Sequence, residues 1–301
     1  MMNLISRAKG CLLGLACGDA VGTTLEFKIR KPNRLLLTDM VGKGKFRLDR
    51  GQWTDDTSMT ICLAESLIYK QGFDPTDQLE RYCQWAYKGH NSSKSFAFGL
   101  GKQTISSLFE FRQTGYPYSL KTNSKYSGNG SLMRLAPIPL FYLSNSEIGE
   151  YAKLSSKTTH ASEECLQACE FFAYVLKNAL QGKLKENLFE GIDLLSFDKL
   201  NRITSLAFKT KVEDEISSSG YVIDTLEAAL WAFWHTNNFR DAILLAANLC
   251  DDSDTVAAVC GQLAGAYYGI EDIPETWLNW LYRKEDIEQL ALDLLKTSGQ
   301  I

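Results

Sequence analysis

The chain has 301 residues, 45% of them hydrophobic, so it is long enough to bury a substantial core without disulfide bonds. Its 32 basic and 36 acidic residues are mixed along the sequence and leave a formal net charge of -4, which excludes a strongly basic nucleic-acid-binding protein. No uninterrupted apolar stretch is long enough to cross a membrane. We therefore expect a cytoplasmic protein with no nucleic-acid or membrane partner.

Nine segments have the apolar spacing of amphipathic or buried helices, and alternating strand patterns are nearly absent. They are 5–20, 58–70, 76–87, 101–114, 148–158, 162–181, 222–234, 239–249 and 255–268. We predict an all-α fold, a single multi-helix bundle that forms one domain over residues 1–301. Most of the eight cysteines lie within these patterns and none belongs to a CxxC pair, so buried free thiols are expected.

Two segments lack helical spacing. Residues 116–129 are rich in Ser, Asn and Tyr, which predicts a long loop or a lid. Residues 183–211 are charged and are predicted to cross the surface between two groups of helices.

Acidic residues are concentrated at the start of two apolar helices. The first cluster is Thr54, Asp55 and Asp56, and the second is Asp251, Asp252, Asp254 and Thr255. Helix capping explains one such residue per helix and contributes about 1 kcal/mol, but it does not need three acids. If both clusters face one pocket, hard divalent cations such as Mg2+ would offset their repulsion. Spacing alone leaves capping and metal binding open, because it does not show that the clusters meet.

Glycine-rich segments lie between these helices. In CGDAVGTTLEF (17–27), the glycines are typical of a turn after a helix, and Glu26 is typical of a surface residue. In GNGSLMRLAPIPL (128–140), backbone N–H groups can hold a phosphate, with polar contacts from Asn129, Ser131 and Arg134. Gly99 and Gly101 precede a helix and can present amides to an anion. From the residues alone, an ordinary loop or helix start is the favoured explanation of the last two segments.

Taken in order, these segments resemble the ADP-ribosylglycohydrolase family, which includes ADP-ribosylarginine hydrolases and the activating glycohydrolases of dinitrogenase reductase. The resemblance covers nearly the whole chain, from GCLLGLACGDAVGTTLEF through WTDDTSM, FGLGKQT, NGSLMRLAPI and TTH to CDDSDTVAAVCGQLAGAYYG. It implies an orthogonal all-α bundle with two Mg2+ ions, or Mn2+, at the base of a cleft.

The resemblance also implies roles for individual residues. The implied metal ligands are Thr54, Asp55, Asp56, Asp252, Asp254 and Thr255, whereas Asp251 lies outside the ligand pattern. The implied catalytic residues are Glu26, Asp55 and Asp254. The implied substrate-binding residues are Gly99, Gly101, Asn129, Gly130, Ser131 and His160. The activating glycohydrolases carry an aspartate where this chain has Gly99, which is a departure from their pattern.

The function that the resemblance implies is metal-dependent cleavage of the C1″ glycosidic bond that joins ADP-ribose to a protein side chain, arginine first. Alternatives are hydrolysis of serine-linked ADP-ribose or of a small molecule such as O-acetyl-ADP-ribose. A non-catalytic ADP-ribose-binding or structural protein of the same fold is the alternative from another class. The expected partner is an ADP-ribosylated protein or ADP-ribosyl small molecule, and the expected state is a monomer.

Overall fold

The computed structural model describes residues 3–301. These residues form thirteen α-helices and no β-strand. The helices are α1 (Leu4–Gly22), α2 (Asp55–Lys70), α3 (Pro75–Lys88), α4 (Lys102–Thr114), α5 (Pro137–Phe141), α6 (Ile148–Lys157), α7 (Glu163–Leu180), α8 (Asn201–Thr204), α9 (Val222–Trp234), α10 (Phe239–Ala247), α11 (Ser253–Tyr268), α12 (Glu275–Trp280) and α13 (Lys284–Thr297). The predicted all-α fold is confirmed.

The centre of the fold is the antiparallel pair α1 and α11, which are apolar on nearly every face and almost wholly buried. Glycines at every fourth position of α1 meet the backbone of α11. A Cβ atom at Gly14 would lie 2.4 Å from the carbonyl oxygen of Gly261, and one at Gly18 would lie 2.1 Å from that of Ala257. The two helices therefore touch backbone to backbone, which no larger residue permits.

This packing corrects the prediction for residues 17–27. Gly18 and Gly22 lie inside α1 and not in a turn after it, because α1 continues to Gly22. A Cβ atom at Gly22 would lie 2.3 Å from the carbonyl oxygen of Ser253, whose hydroxyl donates to the Gly22 carbonyl over 2.8 Å. The end of α1 is thus fixed against the start of α11.

Helix boundaries differ from the predicted ones where acids are concentrated. Helix α2 begins at Asp55 and not at residue 58, and α11 begins at Ser253 and not at residue 255. The acids therefore lie within or directly at the first helical turns. Helices α5, α8, α12 and α13 were not predicted, although α13 buries Ile287, Ala291, Leu294 and Leu295 at helical spacing.

The two irregular segments also differ from prediction. Residues 183–211 form short 3-10 turns rather than a surface crossing alone, because Phe189, Phe197, Leu200, Ile203 and Phe208 are buried in the core. All eight cysteines are free and seven are buried, as expected. Within residues 3–301, no helix combines the length and the apolar character that a membrane crossing requires.

Candidate active site

The two acidic clusters meet at one end of the α1–α11 pair. The hydroxyl oxygen of Thr54 lies 3.4 Å from Asp254 Oδ2, although the two residues are 200 positions apart. The same hydroxyl lies 3.3 Å from Asp56 Oδ2. Glu26 joins the set, since it lines the same cavity as Asp254. The question that spacing left open, whether the clusters face each other, is therefore answered.

Helix α2 is capped by a side chain from another helix. Thr54 occupies the N-cap position, but its own side chain makes no cap hydrogen bond. Instead Asp19 of α1 accepts hydrogen bonds from the backbone N–H of Thr54 (2.9 Å) and of Thr57 (3.0 Å), and from the hydroxyls of Thr54 (2.9 Å) and Thr57 (2.7 Å). Asp19 thus satisfies the N–H groups of Thr54 and Thr57 and leaves the carboxylates of Asp55 and Asp56 available for another partner.

The start of α11 is held by a second set of contacts. Asp252 is its N-cap residue, and Asn129 Nδ2 donates to Asp252 Oδ2 over 2.6 Å. The same amide nitrogen donates to Thr225 Oγ1 over 2.8 Å. Asp251 lies on the other side of this turn, exposed, with its backbone bonded to Phe27 and Lys28. This position agrees with its exclusion from the ligand pattern.

The acids of the site repel one another and are shielded from water. Burial, followed by the neighbouring carboxylates, raises the pKa of Asp55, Asp56 and Asp254 well above the usual value. Burial is also the main cause that raises the pKa of Glu26 and of Asp252. None of these five acids forms an ion pair with a lysine, arginine or histidine of residues 3–301. No ion pair within residues 3–301 therefore offsets this repulsion, although Lys102 lines the same cavity.

A cavity of about 400 Å3 opens over the acids, a size suited to a small-molecule ligand. Most of the predicted site residues line it: Glu26, Asp55, Gly99, Gly101, Asn129, Gly130, His160, Asp252, Asp254 and Thr255. Acids form one wall, and the start of α4 with Lys102 forms another. The cavity therefore joins an acidic end to an end with free backbone N–H groups, since the N-cap residue Gly101 has no side chain to bond them.

Glycine is required at two positions of the cavity wall. Gly99 has φ +77°, and a Cβ atom there would lie 2.3 Å from Asp55 Oδ1. A side chain at this position would be strained by the positive φ and would require the Asp55 carboxylate to move. A Cβ atom at Gly130 would lie 2.8 Å from the ring of His160. Burial, followed by the charge of Arg134, lowers the pKa of His160 to about 3, so its ring is neutral.

Three predicted site residues do not line the cavity. Thr54 and Asp56 lie behind Asp55 and Asp254, within the acidic cluster. Ser131 faces the interior, where its hydroxyl accepts from the hydroxyl of Ser156 over 2.8 Å.

Arg134 also departs from its predicted role as a ligand contact. It is fully buried, donates to the carbonyl of Gly130 over 2.7 Å and to the hydroxyl of Thr159 over 2.7 Å, and does not line the cavity. It supports the glycine-rich loop from behind. Of the predicted loop 116–129, only Gly128 and Asn129 line the cavity.

Sequence reasoning missed Asp19 and Thr225. Asp19 had a signal, because it is the one charged residue between positions 10 and 22 of an otherwise apolar helix. A buried charge in such a helix needs a partner. Thr225 had no comparable signal, since a threonine in the first turn of a helix is ordinary.

The chemistry of the donor set suits hard divalent cations, which prefer carboxylate and hydroxyl oxygens. Two buried oxygens, Asp56 Oδ1 and Glu26 Oε2, have no hydrogen-bond partner in the described part of the chain. Such buried polar atoms require a partner, and cations would supply one. However, no three His, Cys, Asp or Glu side chains of residues 3–301 are already arranged as a metal-binding group. Binding of a cation therefore requires the carboxylates, together with the hydroxyls of Thr54 and Thr255, to move toward the ion.

Comparison with known proteins places this site in a family. A sequence model described as ADP-ribosylglycohydrolase matches residues 1–300. The chain is 44% identical over 292 residues to the ADP-ribosylarginine hydrolase Tri1 of Serratia proteamaculans, which covers 96% of this chain and 79% of that protein. It is 30% identical over 291 residues to the ADP-ribosyl-[dinitrogen reductase] glycohydrolase of Rhodospirillum rubrum, with 94% and 92% covered.

A solved structure supports the same assignment. An ADP-ribosylglycohydrolase-related protein complex contains a chain that is 40% identical and superposes with a TM-score of 0.87, covering 99% of this chain and 100% of that one. The all-helical frame is thus shared with this structure. The chain belongs to the ADP-ribosylglycohydrolase family.

Proposed function

We propose that this chain is a metal-dependent hydrolase that removes ADP-ribose from a modified protein side chain, arginine first. Family membership supports hydrolysis of an ADP-ribosyl bond, and relatives at 42–44% identity are ADP-ribosylarginine hydrolases. The observation that carries the proposal is the meeting of Asp55, Asp56, Asp252 and Asp254 under one cavity without a basic partner.

Two Mg2+ ions, or Mn2+, would be held by Thr54, Asp55, Asp56, Asp252, Asp254 and Thr255. Bound there, they would neutralise the acids and orient the hydroxyls of the distal ribose. This proposal is supported by the all-oxygen donor set and by the buried Asp56 Oδ1 without a hydrogen-bond partner. Asp19 and Asn129 have a separate role, since they fix the helix ends from which these donors project.

The remaining cavity residues would bind the other parts of ADP-ribose. Backbone N–H groups around Gly99 and Gly101 at the start of α4, with Lys102 beside them, suit the negative diphosphate. Asn129, Gly130 and the neutral ring of His160 suit the uncharged ribose. Ser131 would act only by supporting this loop from the interior.

In the reaction, a water molecule adds to C1″ while the bond from C1″ to the side-chain nitrogen breaks. Positive charge that develops at C1″ would be stabilised by the carboxylates of Asp55 and Asp254. Glu26 lines the cavity and its Oε2 has no hydrogen-bond partner within residues 3–301, so Glu26 would take the proton that the water loses and pass it to the leaving nitrogen. The products are ADP-ribose and the unmodified side chain.

The test is release of ADP-ribose by the purified protein from a panel of defined linkages, with Mg2+ and with a chelator. The panel contains ADP-ribosyl-arginine, an ADP-ribosyl-serine peptide and O-acetyl-ADP-ribose. We expect Mg2+-dependent release from ADP-ribosyl-arginine. Absence of release from every linkage, with or without metal, would overturn the enzyme proposal, and preference for another linkage would reassign the substrate.

A further inference from the structure

A row of aromatic side chains leads from the cavity mouth onto the surface. Phe27 lines the cavity and meets Phe46, with ring centroids 6.3 Å apart. Phe46 meets Phe98 at 5.1 Å, and Phe98 meets Phe96 at 6.2 Å. Phe27 is 60% exposed and Phe96 is 57% exposed. We name these four residues the aromatic row; an exposed apolar surface of this kind marks a site of interaction.

Positive charge is concentrated in the chain segment that follows Phe27 and contains Phe46. Residues 28–50 contain eight basic and two acidic residues in a chain whose net charge is -4. Arg30, Arg34 and Arg50 are engaged with the protein itself. The others are exposed and form no ion pair with a carboxylate of residues 3–301: Lys28, Lys31, Lys43, Lys45 and Arg47.

Tight packing holds part of this charge next to the aromatic row. The turn at residues 42–48 packs on the segment that follows α1, where the hydroxyl of Thr24 donates to the carbonyl of Gly42 over 3.0 Å. A Cβ atom at Gly44 would lie 2.1 Å from the carbonyl oxygen of Thr23. The turn carries Lys43, Lys45 and Arg47 on either side of Phe46. The basic side chains are therefore presented on a fixed turn.

We propose that the aromatic row and these basic residues form the docking surface for the modified protein, and that this partner presents glutamates or aspartates around the modified side chain. The inference rests on the proposed function, because a side chain that enters the cavity brings its own protein against the mouth. Complementary charge at the rim of an interface raises the association rate and selects among partners. The surface gives the enzyme a preference for modified proteins with acidic surroundings, which the ADP-ribose cavity by itself does not provide.

The test compares two peptides that each contain one ADP-ribosyl-arginine, flanked by four glutamates or by four lysines, with ADP-ribosyl-agmatine as the small substrate. At low salt we expect kcat/KM for the glutamate peptide to exceed that for the lysine peptide by about tenfold or more, with the difference shrinking as salt rises. Equal kcat/KM values for the two peptides would overturn the inference.

Two matched pairs of variants assign the effect to this surface. We expect K31E/K43E to lose the preference for the glutamate peptide, whereas K88E/K296E, which makes the same change in net charge at exposed lysines elsewhere, retains it. Phe96→Ala lowers kcat/KM for both peptides, whereas Phe109→Ala, at a phenylalanine that is 58% exposed, does not. All four variants should hydrolyse ADP-ribosyl-agmatine as the wild type does. Retention of the preference by K31E/K43E would overturn the inference.

Binding separates this inference from the proposed function. Fluorescence anisotropy of a labelled, unmodified glutamate-rich peptide measures docking without hydrolysis. This measurement therefore tests the docking surface even if the protein cleaves no ADP-ribosyl bond. We expect K31E/K43E to weaken this binding by about tenfold. Tighter binding of a labelled 20-nucleotide single-stranded DNA than of the peptide would overturn the inference and assign the surface to nucleic acid.

Discussion

The two helix ends that form the acidic site look alike in the sequence and are held in different ways. At the start of α2, four hydrogen bonds from Thr54 and Thr57 converge on the side chain of Asp19. At the start of α11, backbone packing against Gly18 and Gly22 sets the position. One end therefore depends on polar groups that can be exchanged one at a time, and the other depends on the approach of two whole helices.

The stability of the α11 end should be the more sensitive to a side chain added at a single glycine. Gly18→Val places carbon atoms where the Ala257 carbonyl lies 2.1 Å away, so α1 and α11 must separate. We expect the free energy of unfolding to fall by about 3 kcal/mol or more, and turnover to be lost with it. Urea unfolding measures the change in the free energy of unfolding. Gly72→Ala is the control, because its nearest new contact is the Tyr142 hydroxyl at 3.7 Å. An unchanged midpoint for Gly18→Val would show that the close contact does not support α11.

Asp254→Ala tests the acids at the same end without disturbing the packing. Under the proposed function we expect kcat/KM to fall by about 10³-fold, which corresponds to about 4 kcal/mol of lost transition-state stabilisation. We also expect Mg2+ to raise the Tm of the wild type but not of this variant. Asp251→Ala is the matched control, since Asp251 is exposed and lies outside the ligand pattern. Equal losses in the two variants would contradict the assignment of Asp254 as a ligand.

Asp19→Ala tests the polar support at the α2 end. Asp74→Ala is its counterpart at an ordinary cap, where Asp74 accepts from the N–H groups of Thr76 and Asp77. We expect each substitution to cost about 1–2 kcal/mol of stability, measured by urea unfolding. Only Asp19→Ala should also weaken Mg2+-induced stabilisation and lower kcat/KM by about tenfold or more, because Asp19 orients Thr54 and the acids that follow. If the two variants keep the same metal response as the wild type, Asp19 is a cap and nothing more.

The residue types of the site could be predicted from the sequence. The packing and the hydrogen bonds that hold these residues in place were mostly missed. The two acidic clusters could be recognised from charge and spacing, because capping explains one acid per helix end and these ends carry two and three. That they meet could not be derived, because it depends on how closely α1 approaches α11. Two of the glycines of α1 that meet α11, Gly18 and Gly22, were assigned to a turn.

The glycines at positions 10, 14, 18 and 22 follow a four-residue spacing that predicts one face of a helix, so this signal was present in the sequence. Asp19 lies among them and was missed for the same reason. By contrast, the orientation of Ser131 and Arg134 toward the interior could not be predicted. A polar residue in a glycine-rich loop suits both a ligand and the loop's own support, and only the fold decides between them.

Thr225→Val is the mildest test, because it removes a single hydroxyl behind the α11 end, which accepts from Asn129 and donates to the carbonyl of Ser219. The Thr225 hydroxyl accepts from Asn129 Nδ2, which also donates to Asp252. Valine keeps the shape and removes the acceptor, so Asn129 becomes free to turn away from Asp252. We expect kcat/KM to fall by about threefold to tenfold, in line with about 1 kcal/mol for one hydrogen bond. Thr225→Ser keeps the hydroxyl and should restore most of the rate. If Ser and Val variants are equally slow, the methyl packing of Thr225 matters and its hydroxyl does not. A lower kcat/KM in Thr225→Val but not in Thr225→Ser would show that the α11 end, too, depends in part on individual polar contacts.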